Sequence, residues 1–147
     1  MKKASSDLLL LDVNVLLALA WPNHQFHAAA IVALSQSRGR WATCALTQLG
    51  FIRLSSNPAA IPTAKSPSES ASLLAHLVAD PMHLYLDTLP APVSDGWLGS
   101  FERILGHRQV TDAYLLQLAA ANRATLLTFD RRLQNAGAGE GSVTLLG

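Results

Sequence analysis

Short continuous runs of apolar residues alternate along the chain with longer segments whose apolar residues recur at helical spacing. The first run, "LLLLDV", has no polar alternation, which is typical of a parallel strand buried on both faces. The same criterion predicts strands at residues 8–13, 41–45, 83–86, 125–128 and 143–146, the last of them at an edge of the sheet.

Helices are predicted between these strands, with polar residues in position to cap several of them. The predicted helices span residues 15–20, 23–36, 47–55, 68–79, 94–105 and 111–122, with Asn23, Thr47, Ser94 and Thr111 as capping residues. Strands that alternate with helices indicate an α/β fold, a three-layer α/β/α sandwich around a mostly parallel sheet. The Ser- and Pro-rich stretch at 55–70 is predicted to be a loop within one domain that spans residues 1–147.

Composition narrows the class of protein only a little. The 147 residues are 50% hydrophobic and 14% charged, with a formal net charge of +1. Without a strong positive charge, any binding of nucleic acid requires a local cationic patch. The large apolar fraction allows an exposed apolar surface for a partner protein. The single cysteine, Cys44, excludes an intramolecular disulfide and suits a reducing compartment.

The N-terminal region superficially resembles a secretory signal, because Lys2 and Lys3 precede an apolar run. Asp12 argues against that interpretation, since an aspartate at the centre of an inserting helix costs about 2.5–3.5 kcal/mol. No apolar run approaches the roughly 20 residues of a membrane span. We therefore expect a cytoplasmic protein with no membrane association.

Three aspartates carry the strongest chemical signal. Asp12 and Asp130 each follow an apolar strand, and ligands of open α/β sheets bind beyond the carboxyl ends of the strands. Asp112 lies in the first turn of its helix, and apolar residues follow it by three, four and seven positions. That spacing places Asp112 on the face of the helix that packs inward. We expect the three acids to converge at one edge of the sheet.

Convergence of three carboxylates favours a bound cation. Two unit charges 4 Å apart interact by about 4 kcal/mol at an effective dielectric of 20, so three such groups repel strongly or retain a proton. A divalent ion relieves the repulsion, and hard oxygen ligands suit Mg²⁺ or Mn²⁺. We therefore expect Asp12, Asp112 and Asp130 to bind Mg²⁺ or Mn²⁺ for metal-assisted hydrolysis.

Cationic residues beside these acids suggest a phosphate-containing substrate. Arg53 lies on the helix after the second strand, His107 and Arg108 precede Asp112, and Arg131 follows Asp130. Each residue by itself is more typical of a solvated surface, but their placement allows local contacts to phosphates. The pair His24 and His27 has the spacing of a zinc site without a third ligand nearby, so capping or packing explains it better.

Three segments together resemble the successive blocks of PIN domains, in particular the VapC-type toxins of toxin–antitoxin modules. They are "LLLLDVNVLLALAWPNHQFHAAA", "TCALTQLGFIRLSSNP" and "HRQVTDAYLLQLAAANRATLLTFDRRL", and they span residues 8–133. The resemblance implies a PIN-like sandwich, Mg²⁺- or Mn²⁺-dependent endoribonuclease activity on RNA, a cognate antitoxin, and homodimers or toxin–antitoxin hetero-oligomers.

The resemblance also assigns site residues. Asp12, Asp112 and Asp130 match the acids of the family blocks, and Asn14 and Thr128 match polar positions that support the site. Gln48 departs from the pattern, because many members have a glutamate there. A neutral glutamine offers only a carbonyl oxygen or an amide donor, so it can orient a water or a ligand carboxylate. This departure favours one bound metal ion over two.

Two alternatives remain open at the level of sequence. The first is a PIN-fold module that binds RNA or protein through a degenerate nuclease site, an interpretation motivated by Gln48. The second is a phosphatase-like hydrolase with Asp12 as its nucleophile, although such enzymes usually have a second aspartate where Asn14 stands.

Overall fold

A computed structural model describes residues 8–36, 40–102, 104, 106–131 and 142–145. Its centre is a parallel sheet with the strand order β3-β2-β1-β4-β5. The strands are β1 (Leu8–Leu11), β2 (Trp41–Cys44), β3 (His83–Leu86), β4 (Ala124–Thr128) and β5 (Ser142–Leu145). The predicted α/β sheet is confirmed, with every described strand pair parallel and the last strand at an edge.

Helices cover both faces of the sheet. They are α1 (Val13–Ala20), α2 (His27–Gln36), α3 (Ala45–Ser55), α4 (Pro67–Leu77) and α5 (Val110–Ala121). Leu10 and Leu126 pack with α5 on one face, whereas Leu11 and Leu127 pack with α1 to α4 on the other. This division follows from the alternation of side chains along each strand, and it confirms the predicted three-layer sandwich.

The order of the strands sets the position of the functional edge. The chain proceeds from β1 through β2 to β3 in one direction, whereas β4 and β5 lie on the other side of β1. The boundary between β1 and β4 is therefore the topological switch point, where the loops beyond the strands diverge and leave a crevice. Asp12 directly follows β1 and its backbone N–H donates to the Leu127 carbonyl of β4 at 3.0 Å.

One predicted helix is wrong. Within the range 94–105, the described residues form turns and a short 3-10 helix at Leu98–Phe101 instead of a long α-helix. Gly96 has a φ of +85°, a left-handed conformation that interrupts a right-handed helix. The Ser94 hydroxyl donates to the carbonyl of Ala91 at 2.6 Å rather than capping a helix.

Several predicted helix starts also differ from the structure. Asn23 lies in a turn and α2 begins at His27, while α5 begins at Val110, one residue before Thr111. Thr47 lies inside α3, where its hydroxyl accepts from the Cys44 backbone N–H at 3.1 Å. Pro at the first position and a Ser66–Glu69 capping box start α4 one residue early. These shifts leave the predicted order of elements unchanged.

In the part of the chain that the structure describes, no helix combines the length and apolar character that crossing a membrane requires.

The approach of α3 to α1 depends on one glycine. A Cβ atom added at Gly50 would lie 2.8 Å from Cγ2 of Val13, closer than real side chains approach. Val13 begins α1 directly after Asp12. The absence of a side chain at Gly50 therefore fixes how α3 packs beside the start of α1.

Candidate active site

The hydroxyl of Thr128 connects the two chain segments that form the site. It donates to Oδ2 of Asp12 at 2.7 Å. It accepts from Nδ2 of Asn14 at 3.3 Å and from the backbone N–H of Asp130 at 3.0 Å. Since a hydroxyl offers one donor and two acceptor positions, all its capacity is used. Thr128 is 0% exposed, so water does not compete for these bonds.

Asn14 holds the end of β4 from the other side. Its Nδ2 donates to Thr128, and its Oδ1 accepts from the Phe129 backbone N–H at 3.3 Å. The side chain thus bridges α1 to the residues just before Asp130. The structure brings together Asp12, Asn14, Thr128 and the backbone of Asp130, and their roles in the site remain predictions.

Asp12 is a buried carboxylate at the N-terminus of a helix. It is 7% exposed, and its Oδ1 accepts from the Val13 backbone N–H at 2.8 Å as the cap of α1. Burial raises the pKa of Asp12 above its usual 3.8, while the bonds from Thr128 and Val13 oppose that rise, and the charge of Asp130 adds to it. Burial therefore disfavours the charged form of Asp12, a perturbation that is common at functional sites.

Asp130 lies close enough to Asp12 for its charge to raise the pKa of that carboxyl. It follows β4 by two residues and is half-buried. The bond from its backbone N–H to Thr128 turns the chain immediately after the strand. Two carboxylates therefore share the switch point of the sheet.

Asp112 lies in the first turn of α5 and is half-buried. The residues that were expected to mark its face, Leu115, Leu116 and Ala119, are buried against the sheet. Across the described residues, no three acidic, histidine or cysteine side chains come together as a preformed metal site. The structure thus pairs Asp12 with Asp130 and leaves the approach of Asp112 as a prediction.

The paired acids fit a divalent cation. Both carboxylate oxygens of Asp12 accept one hydrogen bond each, and each has a second lone pair. Mg²⁺ is usually held by one or two carboxylates together with several waters, so the pair provides a suitable set of hard oxygen ligands. A cation would also remove the electrostatic cost of placing a buried carboxylate beside a second acid.

Gln48 points its amide at the sheet. Its Nε2 donates to the hydroxyl of Thr43 at 3.0 Å, and Nε2 of His83 lies 2.7 Å from the same hydroxyl. Thr43 is fully buried, whereas Gln48 is half-buried. Gln48, which stands where the resemblance implies a glutamate, is therefore bound to polar side chains of β2 and β3.

The four predicted phosphate-binding residues are exposed. Arg53 lies on the surface of α3, and Arg131 follows Asp130 at the end of the site. His107 and Arg108 form the 3-10 turn that leads into α5, close in sequence to Asp112. Their exposure is compatible with binding a substrate from solvent, and their role remains a prediction.

Sequence reasoning missed an aromatic cluster beside the acids. The rings of Phe26 and Phe129 stack with centroids 4.4 Å apart, and the His24 ring lies 6.3 Å from that of Phe129. Nδ1 of His24 accepts from the Phe26 N–H at 3.0 Å, and Nδ1 of His27 lies 2.7 Å from the Ala18 carbonyl. The predicted capping and packing roles of the two histidines are confirmed. The sequence offers one phenylalanine in each of the two chain segments, Phe26 and Phe129, but no pattern that predicts their stacking.

The fold and the site together define a class: an α/β sandwich whose paired acids occupy the switch point of a parallel sheet. The family model for the PIN domain matches residues 9–139. The chain belongs to the PIN domain family.

Proteins of known name share much of the sequence. Ribonuclease VapC39 of Mycobacterium tuberculosis is 40% identical over 126 residues, which are 84% of this chain and 89% of that protein. Ribonuclease VapC38 of the same species is 41% identical over 122 residues, which are 82% and 84% of the two chains.

Solved structures share the fold at lower identity. VapBC2 from Rickettsia felis, bound to a DNA fragment from their promoter, has a TM-score of 0.67 at 13% identity, covering 95% of this chain and 99% of that chain. The sarcin-ricin loop cleaving toxin VapC20 of Mycobacterium tuberculosis has a TM-score of 0.65 at 14% identity, covering 88% and 95%.

Proposed function

We propose that this protein is a metal-dependent endoribonuclease and the toxin of a type II toxin–antitoxin module, which hydrolyses RNA phosphodiester bonds. The observation that carries the proposal is the buried Asp12 carboxylate, held by Thr128 beside Asp130 at the switch point of the sheet. Relatives near 40% identity that are named ribonucleases support the same activity.

In this proposal Asp12, Asp112 and Asp130 hold one Mg²⁺ or Mn²⁺ ion. When bound, the ion supplies positive charge and Lewis acidity at the scissile phosphate. Thr128 and Asn14 keep the Asp12 carboxylate and the end of β4 in fixed positions. Because Gln48 is neutral and donates to Thr43, we expect one ion per chain rather than two.

The exposed cations would bind the RNA backbone. Arg108 and His107 precede α5, and Arg131 follows Asp130, so they border the acids along the chain. Arg53 lies farther along α3. Contacts of these side chains to phosphates would position RNA and stabilise negative charge that develops during hydrolysis.

The proposal includes a protein partner and a compartment. Solved structures that share the fold include VapBC assemblies of toxin with antitoxin, so we propose a cognate antitoxin that binds this chain. We also propose that the chain forms a homodimer or a toxin–antitoxin hetero-oligomer. A cytoplasmic location suits an enzyme that acts on RNA, and Cys44 is a buried, unpaired thiol.

The test is cleavage of structured RNA by the purified chain, with Mg²⁺ and then with EDTA. We expect cleavage with Mg²⁺, loss with EDTA, and a loss of at least 100-fold in Asp12→Asn. Asp95→Asn is the matched control, because Asp95 is an exposed acid outside the chain segments that carry the proposed site residues. Cleavage that withstands EDTA or Asp12→Asn would overturn the mechanism.

A second candidate function rests on Gln48. If the neutral side chain has abolished catalysis, the domain is a binding module for RNA or protein. Calorimetry with Mn²⁺ separates the two: a single binding event at or below millimolar concentration supports the nuclease. No metal binding together with intact RNA binding supports the module.

A further inference from the structure

A cavity lies beyond the ends of β2 and β3, against the start of α5. The cavity has a volume of about 320 Å³ and mostly apolar walls. Its wall includes Leu46, Pro90, Pro92, Phe101, Thr111 and Tyr114. A cavity of this size is in the range of small-molecule and cofactor sites, which typically combine apolar walls with a few polar groups.

The cavity shares its edge of the sheet with the paired acids. Leu46 follows β2 by two residues and Pro90 follows β3, so the cavity lies beyond the carboxyl ends of these strands. Asp12 and Asp130 follow β1 and β4, which are next in the same sheet. Thr111 in the wall directly precedes Asp112 in α5. Two adjacent residues in the first turn of α5 thus link the cavity to a proposed ligand of the metal.

The walls are suited to a flat aromatic group. The Tyr114 hydroxyl donates to the Pro90 carbonyl, which fixes the ring against the loop after β3. The Trp97 ring lies against Tyr114 with centroids 5.1 Å apart and supports it from behind. Phe101 provides a second ring in the wall, and the Thr111 side chain provides a hydroxyl. Proteins bind unpaired bases by stacking them on such aromatic side chains.

We propose that this cavity binds one unpaired nucleobase of the RNA, next to the phosphate that lies at the acids. The inference rests on the proposed ribonuclease function, because a base in the cavity places its neighbouring phosphate toward Asp112. Exposed Arg108, three residues before Thr111, provides a cation for the backbone between base and acids. The cavity would then select the cleavage position by requiring a base that is not paired.

The first experiment fills the cavity without changing the acids. Ala91 lies in the wall on an exposed loop, so Ala91→Trp would occupy the space with little effect on folding. Val93→Trp adds the same bulk at a residue of the same loop that is 72% exposed. In a pool of structured RNA, we expect Ala91→Trp to lower the wild-type preference for cleavage next to unpaired bases at least tenfold. Val93→Trp should retain it. An unchanged preference in Ala91→Trp would overturn the proposal.

The second experiment does not depend on cleavage, so its outcome is separate from that of the proposed function. In EDTA, the affinity of the full chain for a fluorescein-labelled RNA decamer is compared with that for an abasic decamer. Stacking of one base predicts an affinity ratio of roughly 5- to 150-fold. Ala91→Trp should reduce this ratio toward one, whereas Val93→Trp should not.

Equal affinities for the two decamers in the wild type would overturn the base pocket, even if the chain cleaves RNA. The same holds if Ala91→Trp leaves the ratio unchanged, as expected when the cavity instead takes an apolar side chain of a protein partner. Failure of the proposed nuclease appears as an absence of cleavage by the wild type in the first experiment.

Discussion

Thr128 donates its only hydroxyl proton to Asp12, a residue 116 positions earlier in the chain, across 2.7 Å. Asp12 directly follows β1, Thr128 ends the neighbouring parallel strand β4, and both residues are almost completely buried. Because the other two positions on the hydroxyl accept from Asn14 and Asp130, its proton has one direction only. This bond sets the orientation of the carboxylate that we propose as a metal ligand.

Replacement of Thr128 by valine keeps the shape and removes the hydroxyl. Asp12, Asn14 and the backbone of Asp130 each lose a partner inside the protein, which should lower the unfolding free energy by about 1–3 kcal/mol. We also expect weaker Mn²⁺ binding, since the carboxylate loses its orienting donor. Urea unfolding and calorimetry measure the two effects. Thr128→Ser retains the hydroxyl and should remain near wild type; if it behaves like valine, the hydroxyl is not the cause.

The raised pKa of Asp12 predicts how stability depends on pH without metal. The folded chain binds the proton more tightly than the unfolded chain, whose value is near 3.8. The contribution of this proton to stability is therefore complete below that value and is lost as pH rises through the folded pKa. The experiment compares the unfolding free energies of wild type and Asp12→Asn in EDTA. The value for wild type minus that for the variant should fall as the pH rises from 3.8 through the folded pKa. A rising difference would contradict the assignment.

Divalent metal should change how the stability of the protein depends on pH. Mg²⁺ or Mn²⁺ binds the deprotonated carboxylate, so saturating metal should abolish the loss of stability as pH rises. Thermal unfolding of the wild type at neutral pH should shift upward with metal and return with EDTA. Asp130→Asn should reduce the shift, because it removes the second carboxylate. An equal shift in both proteins would place the metal elsewhere.

The pKa of His83 is shifted in the opposite direction to that of Asp12, and so is its effect on stability. Burial lowers the pKa of its imidazole, although the nearby charge of Asp80 opposes the change. The unfolded chain then binds the proton more tightly, so this stability is complete above about 6.5 and is lost as pH falls below it. Urea unfolding between pH 7.5 and 5 should show a smaller loss in His83→Gln than in wild type. Parallel pH profiles would show that His83 does not contribute.

The close approach of Gly50 to Val13 predicts that the effect of Gly50→Ala on stability depends on the size of the side chain at position 13. Gly50→Ala alone should destabilise, because its Cβ would lie 2.8 Å from the Val13 side chain. In a Val13→Ala background the space is open, and alanine is the better helix former by about 1 kcal/mol. The same substitution should then be neutral or stabilising. A double-mutant cycle of unfolding free energies measures the difference, and additive effects would refute the close contact.

The sequence was sufficient to predict the order of the elements and the edge where ligands bind. Asp12 and Asp130 each follow a run of apolar residues, and buried parallel strands read as such runs. The strand periodicity then places both acids at one edge of the sheet. Their pairing with Thr128 and Asn14 came from the family resemblance, because no local pattern fixes a contact between residues 114 to 116 positions apart.

Other features depend on tertiary contacts that a single sequence does not encode locally. The sequence around Gly96 was predicted to form a helix, but the left-handed conformation of Gly96 and nearby prolines produce turns there. Gln48 binds Thr43 and His83, which lie on two different strands. The stack of Phe26 on Phe129 joins a loop before α2 to the end of β4. No periodicity in the sequence predicts the contacts of Gln48 or the stack of Phe26 on Phe129.

The separation of Asp12 from Thr128 has a consequence for synthesis of the protein. A ribosome makes Asp12 and Asn14 first, but the carboxylate has no partner on β4 until that strand has emerged and paired with β1. Every nascent chain that ends before Thr128 therefore lacks both the hydroxyl and the second acid. The paired-acid site therefore cannot form in a nascent chain that ends before Asp130.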